Sequence, residues 1–245
     1  METKKDGVFI TQRKNFNAIG TFKQETIKST LDFAYAMSFG MSGEHRNHRS
    51  GGTHLRKNGE IFANTFQGKL SEFAVYNKLY KNFELQKPDL STYGLGEWDD
   101  YDFVINEKKI SIKSTKSFGN LLLLETKDWN ELAQYIPNIG KGSSTYDIFI
   151  LVRIEPYCED ILKRIKALYS NTESKEQLSS AILSLEWKYD IPGFITIEDL
   201  KYAISNKHII KKGEMLNGKT PMDAENYYIQ SGDMKEVGTL EKYLK

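Results

Sequence analysis

Residues 98–116 read Trp98-Asp99-Asp100-Tyr101-Asp102-Phe103-Val104-Ile105-Asn106-Glu107-Lys108-Lys109-Ile110-Ser111-Ile112-Lys113-Ser114-Thr115-Lys116. Phe103-Val104-Ile105 is a short apolar run, Asn106-Glu107-Lys108-Lys109 a polar turn, and Ile110-Ser111-Ile112-Lys113 alternates apolar and polar. The pattern predicts two strands joined as a hairpin. Pairing closed by that turn sets Ile105 against Ile110 and Asp102 against Lys113. Side chains alternate along a strand, so Ser111 and Lys113 share one face, and Asp100 and Asp102 fall on the same one. Two carboxylates, a hydroxyl and an ammonium are thereby gathered on one surface. Carboxylates hold Mg²⁺, which takes one or two of them plus water and phosphate oxygens. The metal lowers the pKa of a bound water, and a nearby Lys neutralises developing charge. The plain alternative is an exposed hairpin with acids at one end and lysines at the other.

Around the hairpin the chain resembles a family. An acidic strand, a turn and a strand ending in x-x-Lys resemble the PD-(D/E)XK nuclease superfamily, which includes many type II restriction endonucleases, repair nucleases and junction resolvases. The resemblance covers roughly residues 68 to 155. It implies an α/β (α+β) fold, with a restriction-endonuclease-like core of a central mixed sheet flanked by helices. Carried over, Asp102 is the metal-binding acid and Lys113 the catalytic lysine, with Asp100 as the substitute for Asp102 if the register differs. Ser111 departs from the pattern, because the family usually has Asp or Glu there. Some members with Ser at that position recruit an acid from elsewhere. Two candidates are Glu72, on a predicted upstream helix, and Glu125, after the run Leu121-Leu122-Leu123-Leu124. A literal Pro88-Asp89 is followed by Leu90-Ser91-Thr92-Tyr93-Gly94, which reads as loop rather than strand.

The chain has 245 residues, enough for one sizeable core, and a hydrophobic content of 39% with 27% charged residues. Formal net charge is +1, so any nucleic-acid contact has to come from a local basic patch. Cys158 is the only cysteine, which excludes an intramolecular disulfide and a Cys-rich zinc site. The start Met1-Glu2-Thr3-Lys4-Lys5-Asp6 has no apolar h-region, and no apolar run approaches a membrane span. A cytoplasmic protein is the expectation.

Outward from the hairpin, Gln24 to Phe39 reads as a helix with Ile27, Leu31, Ala34 and Tyr35 at helical spacing. The segment Glu44 to Lys57 holds His45, Arg46, His48, Arg49, His54, Arg56 and Lys57. It reads as a solvated basic loop or as a DNA-contacting one, since Arg and Lys neutralise phosphates. A zinc or His-based nuclease site is a third reading, although no ligand spacing matches a zinc motif. Gln67 to Tyr80 predicts a helix capped at Gly68 or Ser71, with Glu72 on the side of Tyr76 and Leu79. An acid there is costly unless paired or metal-bound, and the resembling family often supplies such a Glu to the metal site. Asn82 to Glu97 is a connector rich in Pro, Gly and Ser. Lys116 lies in a polar stretch after Lys113 that reads as a turn or as a backbone-phosphate contact. Trp129 to Tyr135 is predicted helical. Tyr146 to Ile154 is a continuous apolar run, the mark of a buried central strand. Cys158 to Tyr189 reads as helical with a break near Asn171-Thr172. Residues 189–195 read as a short strand, Thr196-Ile197-Glu198-Asp199 as a helix cap, and Asn226 to Ile229 as an edge strand.

Three segments follow: 1–66 with a helix and a DNA-contacting basic loop, 67–156 as the catalytic core, and 157–245 as helices and short strands packed on it. The function expected from the resemblance is Mg²⁺-dependent hydrolysis of double-stranded DNA by a type II restriction enzyme. Its expected partners are a second copy in a two-fold dimer, as symmetric sites favour, and a cognate methyltransferase of the same system. Repair, junction-resolving or RNA nucleases of the same fold are the alternative, as is a DNA-binding module with a dead site.

Overall fold

The computed structural model describes residues 1–40, 56–91 and 101–245. In chain order it contains β1 (Glu2–Lys4), β2 (Gly7–Phe9), β3 (Gly20–Thr21), α1 (Gln24–Ser38), α2 (Asn58–Leu79), β4 (Phe103–Ile105), β5 (Lys108–Lys116) and β6 (Leu121–Glu125). There follow β7 (Ile148–Glu155), α3 (Cys158–Arg164), α4 (Lys175–Leu183), β8 (Lys188–Thr196), α5 (Ile197–Ser205), β9 (Ile209–Ile210), β10 (Met215–Leu216), β11 (Thr220–Pro221), β12 (Asn226–Gln230) and α6 (Leu240–Leu244). The architecture is mixed α/β, with three sheets among the described residues. None of the described helices is long and apolar enough to cross a membrane.

The central sheet has the order β3-β8-β7-β5-β4. β5 and β7 run parallel and the other neighbours antiparallel. β7 sits in the middle, and every residue from Ile148 to Ile154 is buried. A strand covered on both faces needs apolar side chains in both directions, which is why its sequence reads as a run. One face, with Ile110, Ile112, Ile150 and Val152, packs on Phe66, Leu70 and Ala74 of α2. Trp187 joins this layer edge-on to Phe66, and its indole N–H reaches the Ile182 carbonyl. The opposite face, with Phe149, Leu151 and Ile195, packs on Leu122 and Leu124 of β6, on Trp129, and on Leu200 and Ala203 of α5. Parallel strands require a long crossover. Here β6 and two 3₁₀ turns make the one between β5 and β7, and β6 joins a second sheet of order β6-β12-β9. β1, β2, β10 and β11 form a third, small sheet. Gly7, at φ +133°, lies so close to Met215 that a Cβ would meet its carbonyl oxygen at 2.0 Å.

Several expectations are corrected. The hairpin turn is two residues, not four. Asn106 and Glu107 both have positive φ, and the pairs are Phe103↔Ile110, Val104↔Lys109 and Ile105↔Lys108. Such a turn matches the twist of the strands, whereas a four-residue loop of this kind has no such advantage. The register therefore moves by two, which keeps every side chain on its expected face but puts Asp102 near Ser111 rather than opposite Lys113. α2 starts at Asn58, not near Gly68. Its first turn can lie against the 167–168 backbone because Gly59 has no side chain, and a Cβ there would sit 2.0 Å from the Ala167 carbonyl oxygen.

The 129–135 segment is not helical. The Asn130 side chain accepts from the Leu132 and Gln134 N–H groups, which competes with helical bonding, and an isolated bridge joins Trp129 to Tyr135. Within 158–189 the helices are short, and Lys188 and Tyr189 already belong to β8. β12 is the middle strand of its sheet, not an edge. α2 runs unbroken across residue 66, and the central sheet takes strands from all three expected segments. By contrast α1, β7 and the Thr196–Asp199 capping box of α5 stand where the sequence reading put them.

Candidate functional site

The β4–β5 hairpin carries the candidate site. Asp102 precedes β4, and its N–H donates to the Ile110 carbonyl at 3.0 Å. Its carboxylate accepts the Ile112 N–H at 2.5 Å. The side chain thus stands in for the next rung of the ladder and lies against the segment Ser111-Ile112-Lys113. Ser111 is 4% exposed and is the cross-strand partner of Phe149. Lys113, partner of Leu151, is half-buried and makes no ion pair among the described residues. Asp102 therefore lies beside the backbone of the Ser111–Lys113 segment, on which Ser111 and Lys113 share one face. Asp100 lies outside the described residues.

The two candidate replacement acids have other engagements. Glu72 forms an ion pair with Lys69 at 2.7 Å, both side chains being largely buried. That pairing accounts for an acid on the inner side of α2, which packs against the Ile110 and Ile112 face rather than the Ser111 and Lys113 face. Glu125 ends β6 and pairs with Lys127 at 3.6 Å. Burial pushes its carboxyl above the usual range, the Lys127 charge only partly opposing this, and Asp128 and Asp223 raise it further. Among the described residues no three His, Cys, Asp or Glu side chains gather closely enough to hold a metal ion.

Mg²⁺ is satisfied by as little as one carboxylate when water and phosphate oxygens complete its shell. The Asp102 carboxylate is solvent-exposed and lies against the Ser111–Lys113 segment through the Ile112 N–H, so a hard oxygen ligand stands beside that segment. The donor chemistry fits that minimal set.

Of the expected DNA contacts, Arg46 and Arg49, with His45, His48 and His54, lie outside the described residues. Arg56 and Lys57 precede α2, and the Lys57 N–H is capped by Glu60 at 2.9 Å. Lys116 is drawn to Asp160 at 3.4 Å and lies over the Tyr157 ring at 4.6 Å. Cys158 is fully buried, and burial pushes its thiol well above the usual range, so it offers no thiolate nucleophile.

Two features escaped the sequence reading. Arg153, buried in β7, binds Asp190 of β8 through Nε at 2.8 Å and Nη2 at 2.5 Å. It also donates to the carbonyls of Lys14 and Asn15 at 2.7 and 2.9 Å, while the Asn17 N–H reaches Asp190. A charged residue inside the otherwise apolar run 148–154 was the available signal. The other is a cavity beside His208, considered below. Comparison with protein-family models, with curated proteins and with solved structures gives no match for this chain.

Proposed function

We propose that this chain is a Mg²⁺-dependent endonuclease of the type II restriction kind, cutting double-stranded DNA, with a restriction-endonuclease-like core built on β4, β5, β7 and α2. The observation that carries the reading is the Asp102 carboxylate held against β5 at Ile112, next to Lys113. The antiparallel β4–β5 pair followed by a parallel β7 agrees with that core. Asp102 would hold the metal, with Asp100 as its substitute and Glu125 as the second acid, since α2 sets Glu72 against the opposite face of the sheet. Bound there, Mg²⁺ would supply an acidified water and neutralise phosphate charge. The Lys113 ammonium, half-buried and unpaired among the described residues, orients the attacking water and offsets the charge that develops on the phosphate. The Ser111 hydroxyl lies on the same face and can hold a water. Arg46, Arg49, Arg56, Lys57 and Lys116 would grip the backbone, and a two-fold dimer would cut both strands.

One observation favours a second reading. Ser111 occupies the position of an acid, and the described residues gather no three-ligand cluster. A DNA-binding module without catalysis is built the same way.

Incubation with unmethylated phage DNA, with and without Mg²⁺, separates the two. Discrete fragments from the wild type, lost in Asp102→Asn and Lys113→Ala, are expected of the nuclease. DNA left intact in Mg²⁺ and Mn²⁺, at concentrations where the protein binds it, would reject that reading in favour of the binding module. Cutting confined to branched DNA or to RNA would place the chain among repair or RNA nucleases.

A further inference from the structure

A cavity of about 490 Å³ lies between β8, α5 and β12, far along the chain from the hairpin. Its floor is apolar, made by Ile195, Ala203 and Ile229. Its wall is aromatic. The His208 ring stacks on Tyr228 with centroids 5.6 Å apart and planes 18° from parallel. Tyr202 meets the same ring edge-on at 5.6 Å and 82°, and is 61% exposed. The volume falls within the range of small-molecule sites, which combine apolar walls with a few placed polar groups.

The polar lining divides into groups that are used and groups that are free. Both Asp199 oxygens are taken by Lys235, and one also caps α5 through Thr196. The Gln230 carbonyl accepts from Thr11 and Gln12, and its amide donates to Asp233. These are structural. Beyond that one bond from Gln230, Asp233 makes no side-chain hydrogen bond among the described residues. The His208 ring nitrogens and the hydroxyls of Tyr202 and Tyr228 make none there either. Burial, and then the Asp233 charge, push the Tyr228 hydroxyl above its usual range, so it stays protonated and can donate.

We propose that this cavity binds a single nucleobase carrying an exocyclic amino group, adenine, cytosine or guanine, from a free nucleoside or from an unstacked base of a nucleic-acid strand. A flat aromatic wall takes a flat ring, and base–aromatic stacking is indifferent to sequence. The Asp233 oxygen accepts from an exocyclic amino group, whereas uracil and thymine offer only an N3–H flanked by two carbonyl oxygens whose lone pairs would crowd the carboxylate. Met1 completes the lining and no Lys or Arg among the described residues is part of it, so the aromatic rings and the Asp233 carboxylate address a base. A compact quaternary ammonium fits less well, because such ions need rings set around a point, and here His208 and Tyr228 stack on each other. Ile195 is the cross-strand partner of Phe149, and Phe149 of Ser111. The cavity floor and the hairpin site therefore share one face of the central sheet, two strand spacings or about 10 Å apart. The inference goes beyond the nuclease reading and does not rest on it.

The test is a titration of the full chain with adenosine, cytidine, uridine, thymidine and tetramethylammonium. A labelled oligonucleotide with one unpaired adenine is the second arm, and the His208 ring protons are followed by NMR. Adenosine and cytidine are expected to bind about tenfold or more tighter than uridine and thymidine, as a site built to take the amino group requires. Tyr202→Ala, at an exposed position, weakens binding about tenfold, and Asp233→Asn removes the preference for amino bases. Binding of the nucleosides identifies free nucleoside as the source. Binding of the oligonucleotide alone, with the same sensitivity to the variants, identifies a strand. The proposal fails if neither arm binds at millimolar concentration. It also fails if neither variant changes binding, or if tetramethylammonium is the ligand preferred.

Discussion

Asp102 combines the proposed metal-binding role with a structural one, and the two can be separated by substitution. Its carboxylate ends the β4–β5 ladder by accepting the Ile112 N–H. Asp102→Asn keeps an acceptor there and removes the charge, whereas Asp102→Ala leaves the donor unmatched by protein. Urea unfolding should place Asp102→Asn close to wild type and Asp102→Ala about 1 kcal/mol lower. A nuclease would lose cleavage in both. Glu125 offers a second residue-scale test. Its carboxyl is raised by burial, so the folded chain binds that proton more tightly than the unfolded chain does. Stability from this group is therefore lowest when it is charged and rises as pH falls through the folded pKa. Glu125→Gln should raise the melting temperature at pH 7, and the gain should vanish below about pH 4, where both states are protonated. A constant difference across pH would show that packing, not charge, sets the effect. The candidate residues Asp102, Ser111 and Lys113 were legible because side-chain alternation depends only on strand parity. The engagements of Glu72 and Glu125 were not, because they depend on Lys69 and Lys127 adopting particular side-chain positions.

At the scale of elements, the hairpin turn carries a small cost that the rest of the chain overrides. Glu107 has φ +65°, a left-handed conformation that costs a side-chain-bearing residue about 1 kcal/mol. Asn106, at φ +47°, also donates from its amide to the Leu244 carbonyl at 2.9 Å. Glu107→Gly turns this into the favoured Asn-Gly pair and should raise stability by about 0.5–1 kcal/mol, read from the urea midpoint. Asn106→Gly should not match it, since the bond to α6 is lost. Elements set by local periodicity, α1 and β7, were legible in the sequence. The 129–135 turn was not, since Asn130 satisfies the backbone there through its side chain rather than through a pattern of apolar residues.

The whole molecule is tied together by contacts remote in sequence. The buried Arg153–Asp190 pair locks residues 14–17 onto one face of the central sheet. Removing one partner of such a pair strands the other charge away from water. Arg153→Met should cost about 3–5 kcal/mol, and Arg153→Met combined with Asp190→Leu should recover part of it. Amide exchange at Asn17 would accelerate in both variants, because each loses a ligand of the arm.

By itself the sequence determined the hairpin and its facing, the central position of β7, and the first helix. Each of these follows from periodicity within a few residues, where backbone geometry alone decides which side chains share a face. Only the tertiary structure decided that β12 lies between β6 and β9, that β6 leaves the central sheet, and that Arg153 reaches the amino-terminal arm. It also decided that Tyr202, His208 and Tyr228 line one cavity. Those arrangements arise from pairings across tens to hundreds of residues, and their stability comes from burial and hydrogen bonds that exist only once the distant partners have met.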